Sequence, residues 1–491
     1  AYFTQEPCPI DHQDIVNTSR DFDRQALLLK NYSRTGPCMK VADLNGDGII
    51  DVIIGGSAGQ LTKLYLGNAK GQYVLHHVPD FEKSKNSHDT SIEILDANGD
   101  GLLDIYIGSG GYHQLNLGDK DLMDRLYINQ GNGTFKLTDL GWTSTTPTAV
   151  VKSFDINKDG FSDLIIGGGL LPGRWPEFAS THILVNDKKG KFIDETKKFS
   201  SEISNLGIVS DLAWSDLNGD GVMELIVVGD WMPITIFTLE NGKLINATKE
   251  YINQPLSGLW NTIHVSDLNN DGLDDIVVGN MGTNHQLKAS PDQLTEIFYD
   301  DFDQNGSIDP ILCTYIMGVS YPYVTRDELL KQLVRLKKKF PDYASFANAQ
   351  LSDILNPQEI KRSKRNFINQ FETILLLSQP TKMLKLQTLP IEAQFAPVHE
   401  IVTMDVNKDG FQDMLLFGND TELQLKLGRV AANYGQLFLG DGKGGFTYIP
   451  QYISGLNVGG DVRNVSVIKN QLWIGSVGKP LKMYELKRNI Q

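Results

Sequence analysis

Seven stretches of this chain repeat one spacing of oxygen-bearing side chains, D-x-[ND]-x-[DN]-G-x-x-[DE]. The first copies are Asp43, Asn45, Asp47 and Asp51; Asp96, Asn98, Asp100 and Asp104; and Asp155, Asn157, Asp159 and Asp163. Next come Asp216, Asn218, Asp220 and Glu224, then Asp267, Asn269, Asp271 and Asp275. The last two are Asp301, Asp303, Asn305 and Asp309, and Asp405, Asn407, Asp409 and Asp413. Calcium wants six to eight oxygens from carboxylates, amides, one backbone carbonyl and water. Positions 1, 3 and 5 alternate along the loop and converge on one point, position 7 can give its carbonyl, and position 9 closes the shell. Position 6 is glycine in all seven copies, as a turn around an ion requires. A lone copy reads equally well as hairpin turn chemistry; seven copies with three acids each do not. Ca²⁺ is therefore the expected cofactor. An EF-hand places its closing acid at position 12 between helices, whereas β-branched runs flank these loops.

The spacing of the loops indicates what positions them. Their starts lie 53, 59, 61, 51, 34 and 104 residues apart, and periods of about 40–60 residues suit one propeller blade each. Each loop precedes an apolar run such as Val52-Ile-Ile54 or Leu164-Ile-Ile166, as strands buried on both faces do. Two further strands follow, joined by turns such as Gly131-Asn-Gly133 and Gly440-Asp-Gly-Lys-Gly444. The chain reads as an all-β propeller of seven blades, with eight as the alternative. The last blade, from Val462, carries no acidic loop and offers three strands, so residues 1–35 are expected to close the ring near Ala26–Leu29. Residues 36–491 form the propeller, with a helical insertion at about 325–371. That insertion starts with a Thr325-Arg-Asp-Glu328 capping box and has further helices over 342–355 and 357–371. Its basic runs, 337–339 and 361–365, read as solvated helix faces.

Sixty acids against forty-five bases leave a net charge of −15, the wrong sign for nucleic-acid binding. Seven dications would offset nearly all of it. No apolar run of about 18 residues predicts a membrane-spanning helix. The opening Ala1-Tyr2-Phe3-Thr4 reads as a mature or truncated segment. Three cysteines are too few for a disulfide scaffold; Cys8 and Cys38 could pair, and Cys313 reads as a buried thiol. Neither G-x-S-x-G, H-E-x-x-H nor a Cys/His zinc pattern occurs. The glycine-rich run at 440–445 lies between strands and reads as a hairpin, not a phosphate cradle.

With these loops, the chain resembles the FG-GAP/VCBS repeat propellers, which include the integrin α-subunit head, from about Asp21 to Leu486. Asp21-Phe-Asp-Arg-Gln25, Pro172-Gly-Arg-Trp-Pro176, Gly229-Asp-Trp-Met-Pro233 and Tyr321-Pro-Tyr323 bring it nearer to extracytoplasmic VCBS-repeat proteins of Bacteroidota related to cartilage acidic protein. The resemblance implies calcium in the loops and export to the cell surface or outer membrane. It also implies membrane anchoring as a lipoprotein, although no lipobox cysteine starts the chain, and a role in binding or assembly. The expectation is a non-catalytic, calcium-stabilised scaffold with a protein partner, an accessory subunit of an outer-membrane uptake or assembly complex. The alternative is a calcium-dependent polysaccharide lyase or glycan-binding protein, with His113, His285, Arg174 and Arg429 as the groups that could serve a lyase. The partner face is expected opposite the acidic loops, on Tyr112, His113, Arg174, Trp175, Trp231, Trp260, His285 and Arg429, since aromatic and Arg side chains favour binding hot spots. The other reading of these residues is that they plug the channel mouth or pack the inserted helices.

Overall fold

Short β-branched runs punctuated by glycine turns cannot bury both faces alone, so they stack as four-stranded antiparallel sheets around an axis. The computed structural model describes residues 1–16, 20–112 and 114–487. Blade 1 runs Met39–Ala42, Asp51–Ile54, Lys63–Gly67 and Tyr73–His76 from the axis outward. Blades 2, 3 and 4 repeat this order with inner strands His88–Leu95, Thr148–Phe154 and Ile208–Ser215. Blades 5, 6 and 7 begin at Thr262–Ser266, Val398–Met404 and Val462–Ile468. Successive inner strands pack side by side, and that of blade 7 returns to that of blade 1. The ring has seven blades.

Eight sheets are nevertheless present among the described residues. The eighth interrupts blade 5 between Asp275–Gly279 and Ile374–Leu377, which pair directly with each other. Its strand order is Val319–Pro322, Asp309–Ile316, Thr295–Asp300, Lys364–Ile368. The helices lie between its strands. Arg326–Gln332 begins with the predicted capping box, in which the Thr325 hydroxyl accepts from the Glu328 amide at 3.2 Å. Leu329, Leu330, Leu333 and Leu336 are buried together with Cys313. The expected helix over 342–355 is broken into Tyr343–Phe346 and Leu351–Ile354, and that over 357–371 ends at Arg362. Lys364–Ile368 pairs instead with Thr295–Tyr299, a partner nearly seventy residues upstream that overrides local helical preference. The basic run there meets acids of the same chain: Arg362 pairs with Asp300 at 2.9 Å, Lys364 with Glu177 at 2.9 Å, and Arg365 with Glu296.

The ring closes on an N-terminal strand, but not the expected one. Phe3–Glu6 pairs with Lys482–Leu486, Phe3 opposite Leu486. Phe3 packs in the blade 6–7 core with Leu437, Leu456 and Tyr484. Ala26–Leu29 is more apolar, yet its Leu28 and Leu29 are buried at the channel mouth, away from any sheet edge. Cys8, Cys38 and Cys313 are all free thiols, so the Cys8–Cys38 bridge is not formed. Cys313 is buried, as expected. The Gly440–Gly445 run is the expected hairpin turn, its amides at Lys443 and Gly445 donating to Asp441 Oδ1 at 2.8 and 2.9 Å.

Truncating Phe3 should open this seam. Phe3→Ala is expected to cost about 3–5 kcal/mol, the range for a large buried aromatic, read from the denaturant midpoint. A loss below about 1 kcal/mol would mean that Phe3–Glu6 is not what closes the ring.

Candidate metal centres

Six of the acidic loops join the first and second strands of blades 1–6, so all six emerge on one face. In blade 1 the Asp43 carboxylate accepts from the amides of Gly46, Asp47 and Gly48 at 2.8, 3.1 and 2.8 Å. Asn45 Oδ1 accepts from the Asp47 amide at 2.9 Å, and Asp47 Oδ1 from the Ile49 amide at 2.8 Å. The other five loops repeat this. Asn98, Asn157, Asn218, Asn269 and Asn407 accept from the amides of Asp100, Asp159, Asp220, Asp271 and Asp409 at 3.0, 2.9, 2.9, 3.0 and 3.0 Å. Those five aspartates accept in turn from the amides two residues onward. Backbone N–H groups thus fold each loop around its own carboxylates.

The glycine at position 6 has φ between 81° and 91° in every copy, and a Cβ built there meets nothing within 4 Å. Glycine is required by backbone angle, not by space. Position 4 is also left-handed, at Gly46, Gly99, Lys158, Gly219, Asn270, Gln304 and Lys408, a second constraint that the repeat pattern did not reveal.

Position 9 departs from a simple ligand. Asp51 is fully buried; its Oδ2 accepts from Leu44 N at 2.8 Å and its Oδ1 from Gly67 N at 2.8 Å. Asp104, Asp163, Asp275 and Asp413 are held in the same two-handed way. Glu224 takes the Leu217 amide and the Thr238 hydroxyl. Burial, with the neighbouring loop carboxylates, pushes Asp104, Asp163 and Asp275 up to about 6.

These six loops hold their carboxylates apart from one another. Among the described residues, none of them brings three carboxylates within 4.8 Å of one another. Two contacts account for this. The position 9 acid is turned to its backbone amides, and the position 3 amide group occupies the position 5 carboxylate. Asn45 donates to Asp47 Oδ2 at 3.1 Å, Asn98 to Asp100 at 3.0 Å and Asn218 to Asp220 at 3.0 Å. Asn269 donates to Asp271 at 3.0 Å, and Asn407 to Asp409 at 2.8 Å. In blade 3 Asp159 Oδ2 meets Lys188 instead, at 3.3 Å, beside Asn157. Asp96, Asp155, Asp267 and Asp405 hold the position 6 amide, as Asp43 and Asp216 do.

The Asp301 loop is different. It belongs to the inserted sheet, and Arg174, on a crossover at the opposite face, reaches Gly306 O at 3.5 Å. The seventh loop therefore lies away from the other six. Here position 3 is Asp303, not Asn. Carboxylate oxygens of Asp301, Asp303 and Asp309 all fall within 4.8 Å of one another, the one such group among the described residues. Asp309 accepts the Phe302 amide on one oxygen, at 2.9 Å, and its other oxygen, like Asp303 Oδ1, is buried without a hydrogen-bond partner. Orphaned, converging carboxylate oxygens fit a hard dication, whose ligands stand at about 2.3–2.6 Å. Asp301, Asp303 and Asp309 would hold it, with Asn305 beside them.

Comparison with known families agrees with the loops. The FG-GAP-like repeat matches residues 43–107 and 216–278. The chain carries FG-GAP-like repeats. No curated protein matches it. Among solved structures, BBS1N in complex with ARL6DN is 12% identical over 95% of this chain and 96% of that one, with a TM-score of 0.41. The Dos1 propeller is 9% identical over 94% and 96%, with a TM-score of 0.39. The V. cholerae biofilm matrix protein Bap1 is 11% identical over 92% and 77%, with a TM-score of 0.34.

The face opposite the six acidic loops is covered. Residues 20–35 lie across it. Arg24 donates to the carbonyls of Tyr112 and Leu115 at 2.8 and 2.6 Å, Gln25 accepts from Trp175 N at 2.8 Å, and Lys30 pairs with Asp230 at 2.9 Å. Under this segment and the inserted sheet, Tyr112, Trp175 and Trp231 share one core with Leu28, Leu29 and Ile297. Trp260 is buried between blades 4 and 5. These four predicted hot spots are packing groups, because channel mouth and insert need apolar mass between them. Arg174 pairs with Glu177 at 2.7 Å and braces the insert. His285 is packed edge-on against Phe371, its Nε2 2.8 Å from Gly282 O, and burial lowers its pKa to about 4. Arg429 is exposed, and His113 lies outside the described residues. No hydrogen bond or ion pair joins Arg174, His285 and Arg429.

Three measurements probe this geometry. Gly160→Ala should cost about 1–2 kcal/mol, the penalty of a left-handed alanine, although its methyl group meets no atom. Calcium should raise the melting temperature, and Asp303→Asn should weaken terbium binding at the insert about tenfold or more; an unchanged titration would remove the ion from that loop. Since His285 has a lowered folded pKa, its stabilising contribution is complete above about 6.5 and lost as pH falls towards 4. His285→Leu should flatten the fall in denaturant midpoint over that window by about 1–3 kcal/mol.

Proposed function

We propose that this protein is a calcium-stabilised, non-catalytic binding scaffold acting outside the cytoplasm, as an accessory subunit of an outer-membrane uptake or assembly complex. The resemblance to Bacteroidota VCBS-repeat proteins related to cartilage acidic protein supports the location and the lipoprotein anchoring. The FG-GAP-like repeats and the Asp301, Asp303 and Asp309 cluster support calcium, and the inserted sheet supports a protein partner. Its hairpin between Asp309–Ile316 and Val319–Pro322 carries Ile316, Met317 and Val319 into solvent, with Met317 100% exposed. Val319–Pro322 is also the sheet's outer strand, with unpaired backbone groups that a partner strand can meet. An apolar tip on a free edge is the observation that carries this reading. It replaces the buried aromatics as the partner surface. The lyase alternative needs a base beside a sugar, and His285, neutral and packed on Phe371, is poorly placed for that role.

Site-specific photo-crosslinking on intact cells checks the assignment. A probe at Met317 should yield a discrete adduct that Ile316→Asp abolishes, while a probe at Lys158 on the opposite loops yields none. Equal crosslinking from both positions, or none from Met317, would overturn it.

A further inference from the structure

Inside the ring, the inner strands enclose a cavity of about 490 Å³, the size of a small-molecule site. The N-terminal segment bounds it at one end, through Tyr32 and Thr35. Charged groups line it from nearly every blade, and almost all are matched. Lys30 pairs with Asp230 at 2.9 Å, Arg34 with Glu422 at 2.5 Å, and Lys40 with Glu93 at 3.8 Å. Lys152 lies 3.7 Å from Asp211, while Arg463 and His399 converge on Asp420 at 2.7 and 3.0 Å. His264 meets the Thr403 hydroxyl at 2.9 Å.

Glu400 is the exception. It lines the cavity on the inner strand of blade 6, and its side chain makes no hydrogen bond or ion pair with any described residue. Lys40 and Lys152 act on it only at longer range, and the Asp211 carboxylate opposes its ionisation. Among the described residues it is the one charged lining group without a partner. An unmatched carboxylate in a shielded cavity is costly and favours a cation that enters to meet it. Glu400 belongs to no group of converging carboxylates within chelating distance, so the geometry does not suit a metal ion. A single unmatched charge in a cavity that also offers hydroxyl and amide groups, at Ser91, Asn464 and Ser466, suits an ammonium group on a small polar body.

We propose that the central cavity binds a small organic ammonium compound, with Glu400 as its counter-ion. Burial, and next the Asp211 charge, push the Glu400 carboxyl up to about 8. The empty site therefore holds a proton at neutral pH that an entering ammonium ion displaces. Three other facing groups are shifted away from this range: burial lowers the pKa of His264 and His399, and the Asp211 charge raises that of Lys152.

Isothermal titration with ethanolamine and n-butylamine tests this, with ethylene glycol and n-butanol as uncharged controls. The amines should bind and the alcohols should not. Affinity should rise about tenfold per pH unit from 6 to 8 and then level, with the heat at pH 7 tracking the ionisation enthalpy of the buffer. Glu400→Gln should lose at least tenfold in affinity and all pH dependence, while its melting temperature stays equal or rises. The proposal falls if neither amine binds at 10 mM, if the alcohols bind as well, or if Glu400→Gln binds unchanged. A Glu400→Gln variant that fails to fold leaves the wild-type pH and buffer dependence as the deciding readout.

Discussion

One carboxylate at the start of the second strand holds each of blades 1–6 together. In blade 1, Asp51 ties the amide of Leu44 in the acidic loop to that of Gly67 at the end of the third strand. Loop, second strand and third strand are thereby fixed by a single buried side chain, and each charge-assisted bond is stronger than a neutral one. The link passes onward, because the Leu44 carbonyl accepts from Asn129 of blade 2 at 2.9 Å. Asn186 of blade 3 repeats this to Ala97 O at 2.9 Å. The acid that completes the sequence motif is therefore first a staple within its blade. Only in the inserted sheet, where Asp309 has no third-strand amide to take, is one oxygen left over.

That contrast separates two uses of one motif. Six loops form one rim and are braced by their blades. The seventh sits on the far side, against Arg174, with Arg362 donating to Asp301 O at 3.3 Å. The ion pair from Lys364 to Glu177 fastens the same sheet to blade 3, and Arg174 holds that glutamate from within the blade. The insert is thus built into the channel mouth rather than hung from it, and its apolar hairpin is held outward on a rigid base.

Local features were legible in the sequence and long-range ones were not. The acidic loops, the glycine at position 6, the Thr325 capping box and the blade 6 hairpin depend on residues within a few positions of one another, so spacing reveals them. Spacing did not reveal where the loop oxygens point, because Asp51 answers to Gly67, sixteen residues on, as well as to its own loop. The covering segment depends on contacts such as Arg24 to Tyr112 and Lys30 to Asp230, 88 and 200 residues apart. Nothing periodic marks it. Hydrophobicity pointed to Ala26–Leu29 as the closing strand, but apolar residues serve a mouth as readily as a sheet. Phe3–Glu6, with a single apolar residue, offered little signal, yet it is the strand that pairs with Lys482–Leu486. The aromatics at Tyr112, Trp175 and Trp231 misled for a related reason: large rings suit a hot spot and a sealed core equally, and exposure alone tells them apart.

The seam in blade 7 joins the two described ends of the chain as antiparallel neighbours. Phe3 lies opposite Leu486, and Lys487 donates to Tyr2 O at 2.9 Å. Tension applied to those ends does not shear the pair along its length. It peels the strands apart one rung at a time, starting at the outermost bond. The ring is mechanically weakest at the place where it is sewn shut, and under load it would open there before any other blade feels the force.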